Sequence, residues 1–180
     1  IEHDREASAE HEALVDEIVD CMAAAQRGSG YLNSYHQQIA PKEIFKFRDH
    51  HELYCCGHLI EAAIAYDQAT GKRKMLDVME RYCDCIERAF MIEKTAAFMT
   101  PGHEEIELAL VKLYHATGNE KYMRLSEWFI DQRGVSEKDK ESTTRVVGIY
   151  QQDHLPCAEQ TEAVGHSVRA CYLYAGMADV

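Results

Sequence analysis

Three histidines occupy matching places in the apolar stripes of three predicted helices. His51, His103 and His166 each lie on, or at the head of, the stripe that would face inward on its helix. A position in the first turn of a helix favours a neutral imidazole at His103, with one donor and one acceptor for sugar hydroxyls. Glu162, four residues earlier, would orient His166 or pair with Arg169 instead. Three unrelated core histidines are the alternative; we predict that all three rings point to a common side.

Three acidic residues, Glu104, Glu105 and Glu107, follow His103. A pair of carboxylates is the usual machinery of glycoside hydrolysis, so this cluster could be read as catalytic. Acidic side chains are also common in the first turn of a helix, because they stabilise its positive end. We favour the second interpretation and expect these three residues to have a helix-stabilising role.

The run from His50 to His58 is rich in residue types that bind metals. A zinc site could be drawn from His51, Cys55 and His58, but this spacing is not a standard one. Buried reduced thiols are the simpler interpretation of its cysteines and of those at positions 83 and 85, so no metal site is predicted. The sequence also lacks a G-x-S-x-G elbow, a P-loop, a dinucleotide fingerprint and an H-E-x-x-H motif.

Helical periodicity dominates the chain and predicts six helices. They cover approximately residues 7–26, 51–69, 72–91, 100–117, 120–132 and a last segment from after Pro156 to about Tyr174. Thr100 and Pro101 have the residue types of an N-cap and a first helical position. Residues 31–47 are expected to be irregular and residues 136–144 to form a mobile loop. The best strand candidates, which could form a short hairpin arm, are Val146, Val147, Ile149 and Tyr150.

A short internal repeat relates two of the predicted helical hairpins. Ala69–Thr70–Gly71 recurs as Ala116–Thr117–Gly118, and Leu173–Gly176 resembles a third, shortened copy. Such a repeat predicts stacked helical hairpins, arranged either as an open solenoid or as a closed toroid. The chain starts at Ile1 and stops inside the repeat, so we expect a piece of a longer helical array.

Composition narrows the class of protein further. With 31 acidic and 19 basic residues among 180, the net charge of −12 argues against nucleic acid or an anionic membrane as partner. No apolar run reaches the roughly 18 residues of a membrane span. Seven cysteines without a signal peptide indicate reduced thiols and a cytoplasmic location. The length and apolar content predict one globular domain.

Four ordered motifs resemble one known family. They are GYLNSY at 30–35, HELYCCGHLIEA at 51–62, PGHEEIELAL at 101–110 and EQTEAVGHSVRA at 159–170. Together they resemble bacterial β-L-arabinofuranosidases of glycoside hydrolase family 127. The resemblance covers nearly the whole chain and is weakest in residues 134–150.

The resemblance implies an all-α fold of helical hairpins forming part of an (α/α)6 toroid, which β-sandwich domains follow in that family. Residues 1–180 would be a partial catalytic domain, truncated at both ends. The family's pocket histidines map onto His51, His103 and His166, which would bind the terminal arabinofuranose. The family's catalytic cysteine and glutamate and its zinc ligands lie in later motifs, which Cys55 and Cys56 do not match. The resemblance therefore implies no catalytic residue and no bound metal in this chain, and zinc only in the full-length enzyme.

The leading hypothesis is thus a piece of a glycoside hydrolase that releases terminal β-L-arabinofuranose and is inactive on its own. Its expected partners are a carbohydrate substrate and the missing C-terminal part of the same protein, with a homodimer as a candidate assembly. Two alternatives stay open: a non-enzymatic helical-hairpin interaction module, and a family member that acts on a different sugar.

Overall fold

The computed structural model describes residues 2–142 and 148–180, which form eight α-helices and no strand. The helices are α1 (Glu2–Ala25), α2 (Ser34–Gln38), α3 (Glu52–Thr70), α4 (Lys74–Glu87), α5 (Ile106–Thr117), α6 (Glu120–Gln132), α7 (Glu137–Ser142) and α8 (Ser167–Asp179). A π-helical turn, Arg88–Ile92, extends α4. The all-α prediction is therefore confirmed, and none of the described helices has the length and apolar character that a membrane span requires.

The two copies of the Ala-Thr-Gly repeat end α3 and α5 in the same way. Gly71 and Gly118 adopt the left-handed conformation, with φ of 72° and 70°, which a residue without a Cβ adopts at little cost. The hydroxyls of Thr70 and Thr117 each donate to the carbonyl four residues earlier, both at 2.7 Å. The chain then reverses into α4 and α6, so the repeat marks two structurally equivalent helical hairpins.

The hairpins form a curved, two-layered arc. In one layer α3 packs against α5 and α5 packs against α8, while α4 and α6 pack behind α3 and α5 and α1 packs on α4. The core between the layers is built mainly from apolar side chains. Among its fully buried members are Ile60, Leu76, Met79, Ile86, Leu110, Leu113, Leu125 and Phe129. This arrangement is part of an α/α toroid, as predicted.

The predicted start of the fourth helix at Thr100 and Pro101 is wrong, since α5 begins at Ile106. The Thr100 hydroxyl accepts from Arg48 Nη2 and donates to Asp139 Oδ2, both at 2.7 Å, and its carbonyl accepts from Arg48 Nε at 2.9 Å. Because these buried partners engage Thr100, it does not cap a helix, and the chain stays non-helical up to Glu105.

The C-terminal third differs most from the sequence-based prediction. The sixth helix was expected to start after Pro156, but only a short 3₁₀ turn, Cys157–Glu159, forms there, and α8 starts at Ser167. Gly176 lies inside α8 rather than at a turn. Because glycine has no Cβ, α8 can approach α5 closely at this position. A Cβ there would lie 3.0 Å from Glu107 Cβ.

Two smaller predictions about residues 136–150 also need correction. The expected loop at 136–144 contains helix α7. Of the strand candidates, Ile149 and Tyr150 lie in a 3₁₀ turn, Gly148–Gln151, while Val146 and Val147 fall outside the described residues.

Candidate functional site

The structure brings together the three histidines that the sequence singled out. The ring centroids of His51 and His103 are 6.1 Å apart, and those of His103 and His166 are 6.3 Å apart. The three residues precede α3, α5 and α8, which are neighbours in one layer of the arc. All three are partly exposed. The predicted convergence on one side of the hairpin array is therefore confirmed.

His51 is held in an uncommon backbone conformation. It is the N-terminal cap of α3 with φ of 59° and ψ of 21°, in the left-handed region that a non-glycine residue seldom adopts. Its Nδ1 lies 2.5 Å from the carbonyl oxygen of Asp49, which can only accept, so Nδ1 carries the proton. Nε2 is then an acceptor when the ring is neutral. Such local strain is typical of functional positions.

His103 lies in the non-helical segment before α5, whereas a first helical turn had been predicted. Two arginines from other parts of the chain fix this segment. Arg133 Nη2 donates to the carbonyl of Pro101 at 3.0 Å, and Arg169 Nη1 donates to the carbonyl of Gly102. The ring therefore owes its position to these contacts.

The protonation state of His103 follows from its surroundings. Burial lowers the pKa of His103 to about 4, so the ring is neutral near pH 7. Its Nδ1 donates to the carbonyl of Glu104 at 2.8 Å, which leaves Nε2 as an acceptor. The predicted neutral imidazole thus has a different cause from the helix terminus that the sequence suggested.

His166 is fixed through its backbone. It caps α8; its N–H donates to the carbonyl of Tyr150 at 3.2 Å, and its own carbonyl accepts from Gln152 Nε2 at 3.3 Å. The rings of Tyr150 and His166 meet edge to face, with centroids 5.4 Å apart. Nδ1 of His166 is buried without a hydrogen-bond partner among the described residues. A ligand hydroxyl at this nitrogen would satisfy it.

Two tyrosines that the sequence reasoning did not select complete the cluster. The ring of Tyr54 is 4.4 Å from that of His103, and the ring of Tyr172 is 5.9 Å from it. Both also contact His58, at 4.5 and 6.0 Å. The spacing of three residues between His51 and Tyr54 is a helical spacing, and it was the sequence signal that could have identified Tyr54.

The three acids after His103 are wholly buried. Glu107 lies in the first turn of α5, as predicted, whereas Glu104 and Glu105 precede the helix. Arg133, itself fully buried, lies 3.0 Å from Glu104 Oε1 and 3.1 Å from Glu107 Oε1. Arg133 was missed, because a single arginine at the end of α6 carries no local signal of burial. Three acids among apolar residues could have indicated that a buried cation was needed.

Glu105 belongs to a second cluster, on the side of His58. Burial, followed by the neighbouring Glu61 carboxylate, raises the pKa of Glu105 to about 9. Within residues 2–142 and 148–180, His58, Glu61 and Glu105 form the one group of three whose possible metal-ligand atoms lie within 4.8 Å of one another. This is a different trio from the one with Cys55 that the sequence suggested.

The cysteines show no disulfide, as predicted. All seven are free; Cys56, Cys83, Cys85 and Cys157 are buried, whereas Cys55 is exposed. The expectation of packed thiols therefore holds for Cys56 and its neighbours in the core but is wrong for Cys55.

A further buried carboxylate, Glu52, lies behind the histidines. It accepts hydrogen bonds from the Tyr31 hydroxyl and, at 3.0 Å, from the backbone N–H of Phe45. Burial outweighs these two hydrogen bonds and raises the pKa of Glu52 to about 7. Glu52 thus anchors the irregular segment before α3 to the start of that helix.

Comparison with known proteins agrees with this fold. The family described as "Beta-L-arabinofuranosidase, GH127 catalytic domain" matches residues 2–180. The chain belongs to this GH127 family. The resemblance carried by the four sequence motifs is therefore confirmed, and the helical arc is a GH127 catalytic-domain segment.

Individual GH127 relatives show the same correspondence. A curated non-reducing end β-L-arabinofuranosidase of Bifidobacterium longum subsp. longum is 37% identical over 189 residues, covering 95% of this chain and 29% of that protein. A solved GH127 β-L-arabinofuranosidase from Geobacillus stearothermophilus T6 is 45% identical, with a TM-score of 0.86, covering 94% of this chain and 29% of the other. A solved GH127 β-arabinofuranosidase is 37% identical, with a TM-score of 0.78, covering 95% and 27%. The chain thus spans less than a third of these relatives.

Proposed function

We propose that this chain forms the sugar-recognition part of a glycoside hydrolase that releases terminal β-L-arabinofuranose from glycans or glycoconjugates. His51, His103 and His166 would bind the hydroxyls of the non-reducing-end sugar. The convergence of these three rings, on neighbouring helices of a GH127 segment, is the observation that carries the proposal.

The ring nitrogens have the hydrogen-bonding character that hydroxyls need. Nδ1 of His51 and of His103 each donates to a backbone carbonyl, so each Nε2 is available to accept from a sugar O–H. Tyr54 and Tyr172 add ring faces beside His103, and amphipathic aromatic rings suit the mixed polar and apolar faces of a sugar. The two backbone hydrogen bonds fix both rings before the sugar arrives.

Bond cleavage itself is assigned to residues outside this chain. A nucleophile and a general acid/base are required for a retaining mechanism, and the pocket histidines supply neither. We therefore expect the 180-residue chain alone to be inactive and to act with the C-terminal part of the same protein. The zinc that the family resemblance implies is expected only in the full-length enzyme, and a cytoplasmic location and a homodimer stay predictions.

The interaction-module hypothesis required an exposed apolar surface where the histidines lie. Imidazole and tyrosine side chains occupy that surface instead, which favours a small polar ligand over a protein partner. An apolar groove of about 830 Å³ does exist, but α1 and the start of α3 line it, through residues that include Leu14, Ile18, Met22 and Leu59.

The proposal is tested by measuring how tightly methyl β-L-arabinofuranoside binds, by titration calorimetry. We expect His103→Ala to weaken binding about tenfold or more, because it removes a hydrogen bond worth about 1 kcal/mol and a ring contact. His115→Ala is the matched control, since His115 is exposed at the end of α5, outside the cluster. Equal affinities for the two variants would contradict the proposal. Preference for a different sugar would favour the other-sugar alternative.

A further inference from the structure

We propose that His58, Glu61 and Glu105 form a binding site for a divalent transition-metal ion. His58 and Glu61 lie one turn apart on α3, and Glu105 precedes α5. His58 Nδ1 is 3.6 Å from Glu105 Oε1 and 3.8 Å from Glu61 Oε2. The inference rests on this arrangement alone and does not depend on the proposed sugar site.

The spacing of the three atoms is near what one ion requires. Ligands bound at about 2.0–2.2 Å around a tetrahedral centre lie roughly 3.3 to 3.6 Å from one another. The two measured distances, 3.6 and 3.8 Å, differ from that range by little. The carboxylates of Glu61 and Glu105 lie within 4.8 Å of each other, so side-chain rotations would bring all three atoms to bonding distance.

Glu105 points to a missing cation more strongly than the distances do. Its side chain is fully buried, and neither carboxylate oxygen accepts a hydrogen bond from a lysine, an arginine or a backbone N–H among the described residues. Its polar neighbours are the Glu61 carboxylate, with which it shares a hydrogen bond, and the His58 imidazole. Burying two adjoining carboxylates is costly, and a metal ion between them would compensate for that cost.

The Glu105 carboxylate fits against α3 because residue 57 is a glycine. Gly57 lies directly against Glu105, and a Cβ on Gly57 would be 1.4 Å from Glu105 Oε2. Any other residue at position 57 would displace the carboxylate from the cluster. The glycine therefore explains how Glu105 comes so close to α3.

The one lysine nearby does not fill the site. Lys112 Nζ contacts Glu61 Oε1, while the other oxygen, Oε2, faces His58. A single ammonium group thus serves one of two carboxylates and leaves the inner oxygens available. The side chains of His58 and Glu61 are 40% and 28% exposed, so an ion and its remaining water ligands can enter.

The ligand set indicates which ions would bind. One imidazole nitrogen with two carboxylate oxygens suits Zn²⁺, Mn²⁺, Fe²⁺ or Co²⁺, whereas Mg²⁺ and Ca²⁺ prefer oxygen ligands alone. No cysteine belongs to the trio, so this site differs from the cysteine-containing zinc site that the family resemblance implies elsewhere in the enzyme.

Zn²⁺ titration of metal-stripped protein, followed by calorimetry, tests the proposal. We expect Glu105→Gln and His58→Ala each to bind one equivalent less, or to bind that equivalent at least tenfold more weakly. Exposed residues on other surfaces supply the matched controls, Glu127→Gln and His115→Ala, which should bind as the unaltered protein does. Circular dichroism confirms that each variant is folded.

Co²⁺ gives an independent readout, because its visible absorption reports ligand type and geometry. Bands that appear in the unaltered protein and are missing in folded Glu105→Gln support the site. Absence of Zn²⁺ binding, or Zn²⁺ and Co²⁺ signals that Glu105→Gln leaves unchanged, would overturn it. Either result would leave the sugar-binding proposal intact, since His103→Ala tests that separately.

Discussion

Three acidic residues of one short segment, Glu104, Glu105 and Glu107, are buried in two different surroundings. Glu104 and Glu107 are buried on the side of Arg133, whose guanidinium lies 3.0 and 3.1 Å from their carboxylates. Glu105, between them in sequence, is equally buried but faces Glu61 and His58. Burial raises the pKa of Glu104 to about 7, against the opposing effect of Arg133, and that of Glu105 to about 9.

The difference separates a structural role from a functional one. The Arg133 cluster contains its own cation, whose guanidinium also donates to the backbone carbonyls of Pro101 and Gln151. It fixes the segment that presents His103. Glu105 has no arginine beside it among the described residues, and carboxylates in such perturbing surroundings are concentrated at functional sites. Replacing Arg133 and replacing Glu105 should therefore have very different effects on the free energy of unfolding.

The largest expected effect comes from Arg133→Met. This change keeps an apolar side chain of similar length but leaves two buried carboxylates without their cation. We expect the free energy of unfolding to fall by about 3–5 kcal/mol, the usual range for breaking a buried ion pair. Urea denaturation measures it, with an unchanged slope showing that the compactness of the two states is the same.

Glu105→Gln is the counterpart of that change in the same segment. Without added metal, it removes a buried acid that no described cation balances, so the free energy of unfolding should stay within about 1 kcal/mol or rise. A loss as large as that of Arg133→Met would show that the two sides of the segment do not differ. A small loss of unfolding free energy in Arg133→Met would also show that the two sides do not differ.

Glu52 is an intermediate case, since hydrogen bonds stabilise it but no lysine or arginine does so among the described residues. Tyr31 and Phe45 donate to it, and the ring of His36, whose pKa burial lowers, lies 3.9 Å away. The pKa of Glu52 is raised from 4.5 to about 7. Because the folded state binds this proton more tightly, stability from this group is complete below pH 4.5 and is lost as pH rises to about 7.

Denaturation of the unaltered protein and of Glu52→Gln across pH 4 to 8 checks this expectation. Relative to the variant, the unaltered protein should lose about 3 kcal/mol of unfolding free energy between roughly pH 4.5 and 7, and little more above that. Glu127→Gln, an exposed acid, should follow the unaltered profile. Parallel profiles for all three proteins would contradict the raised pKa.

Local signals predicted the parts of the fold that depend on local structure. The glycine turns at Gly71 and Gly118 and helix α6 (Glu120–Gln132) follow from capping chemistry and periodicity. The convergence of the histidines also followed, because residues at equivalent points of stacked hairpins face one side. The amphipathic repeat was sufficient for that prediction.

Features set by distant partners could not be predicted in this way. Thr100 fails as a helix cap because Arg48 and Asp139 bind it from far along the chain. The burial of Glu105 depends on a gap over Gly57, which no local pattern shows. His103 is neutral because it is buried, whereas the sequence suggested a helix terminus as the cause. These residues depend on tertiary contacts, which single-sequence periodicity does not contain.

The central claim is that the Nε2 atoms of His51 and His103 accept hydrogen bonds from a terminal arabinofuranose. Nitrogen NMR of the imidazole rings during titration with methyl β-L-arabinofuranoside tests it most directly. We predict saturable shifts of the Nε2 resonances of His51 and His103, with His115 unchanged. Shifts that are absent from both pocket histidines, or equally large at His115, would contradict the account.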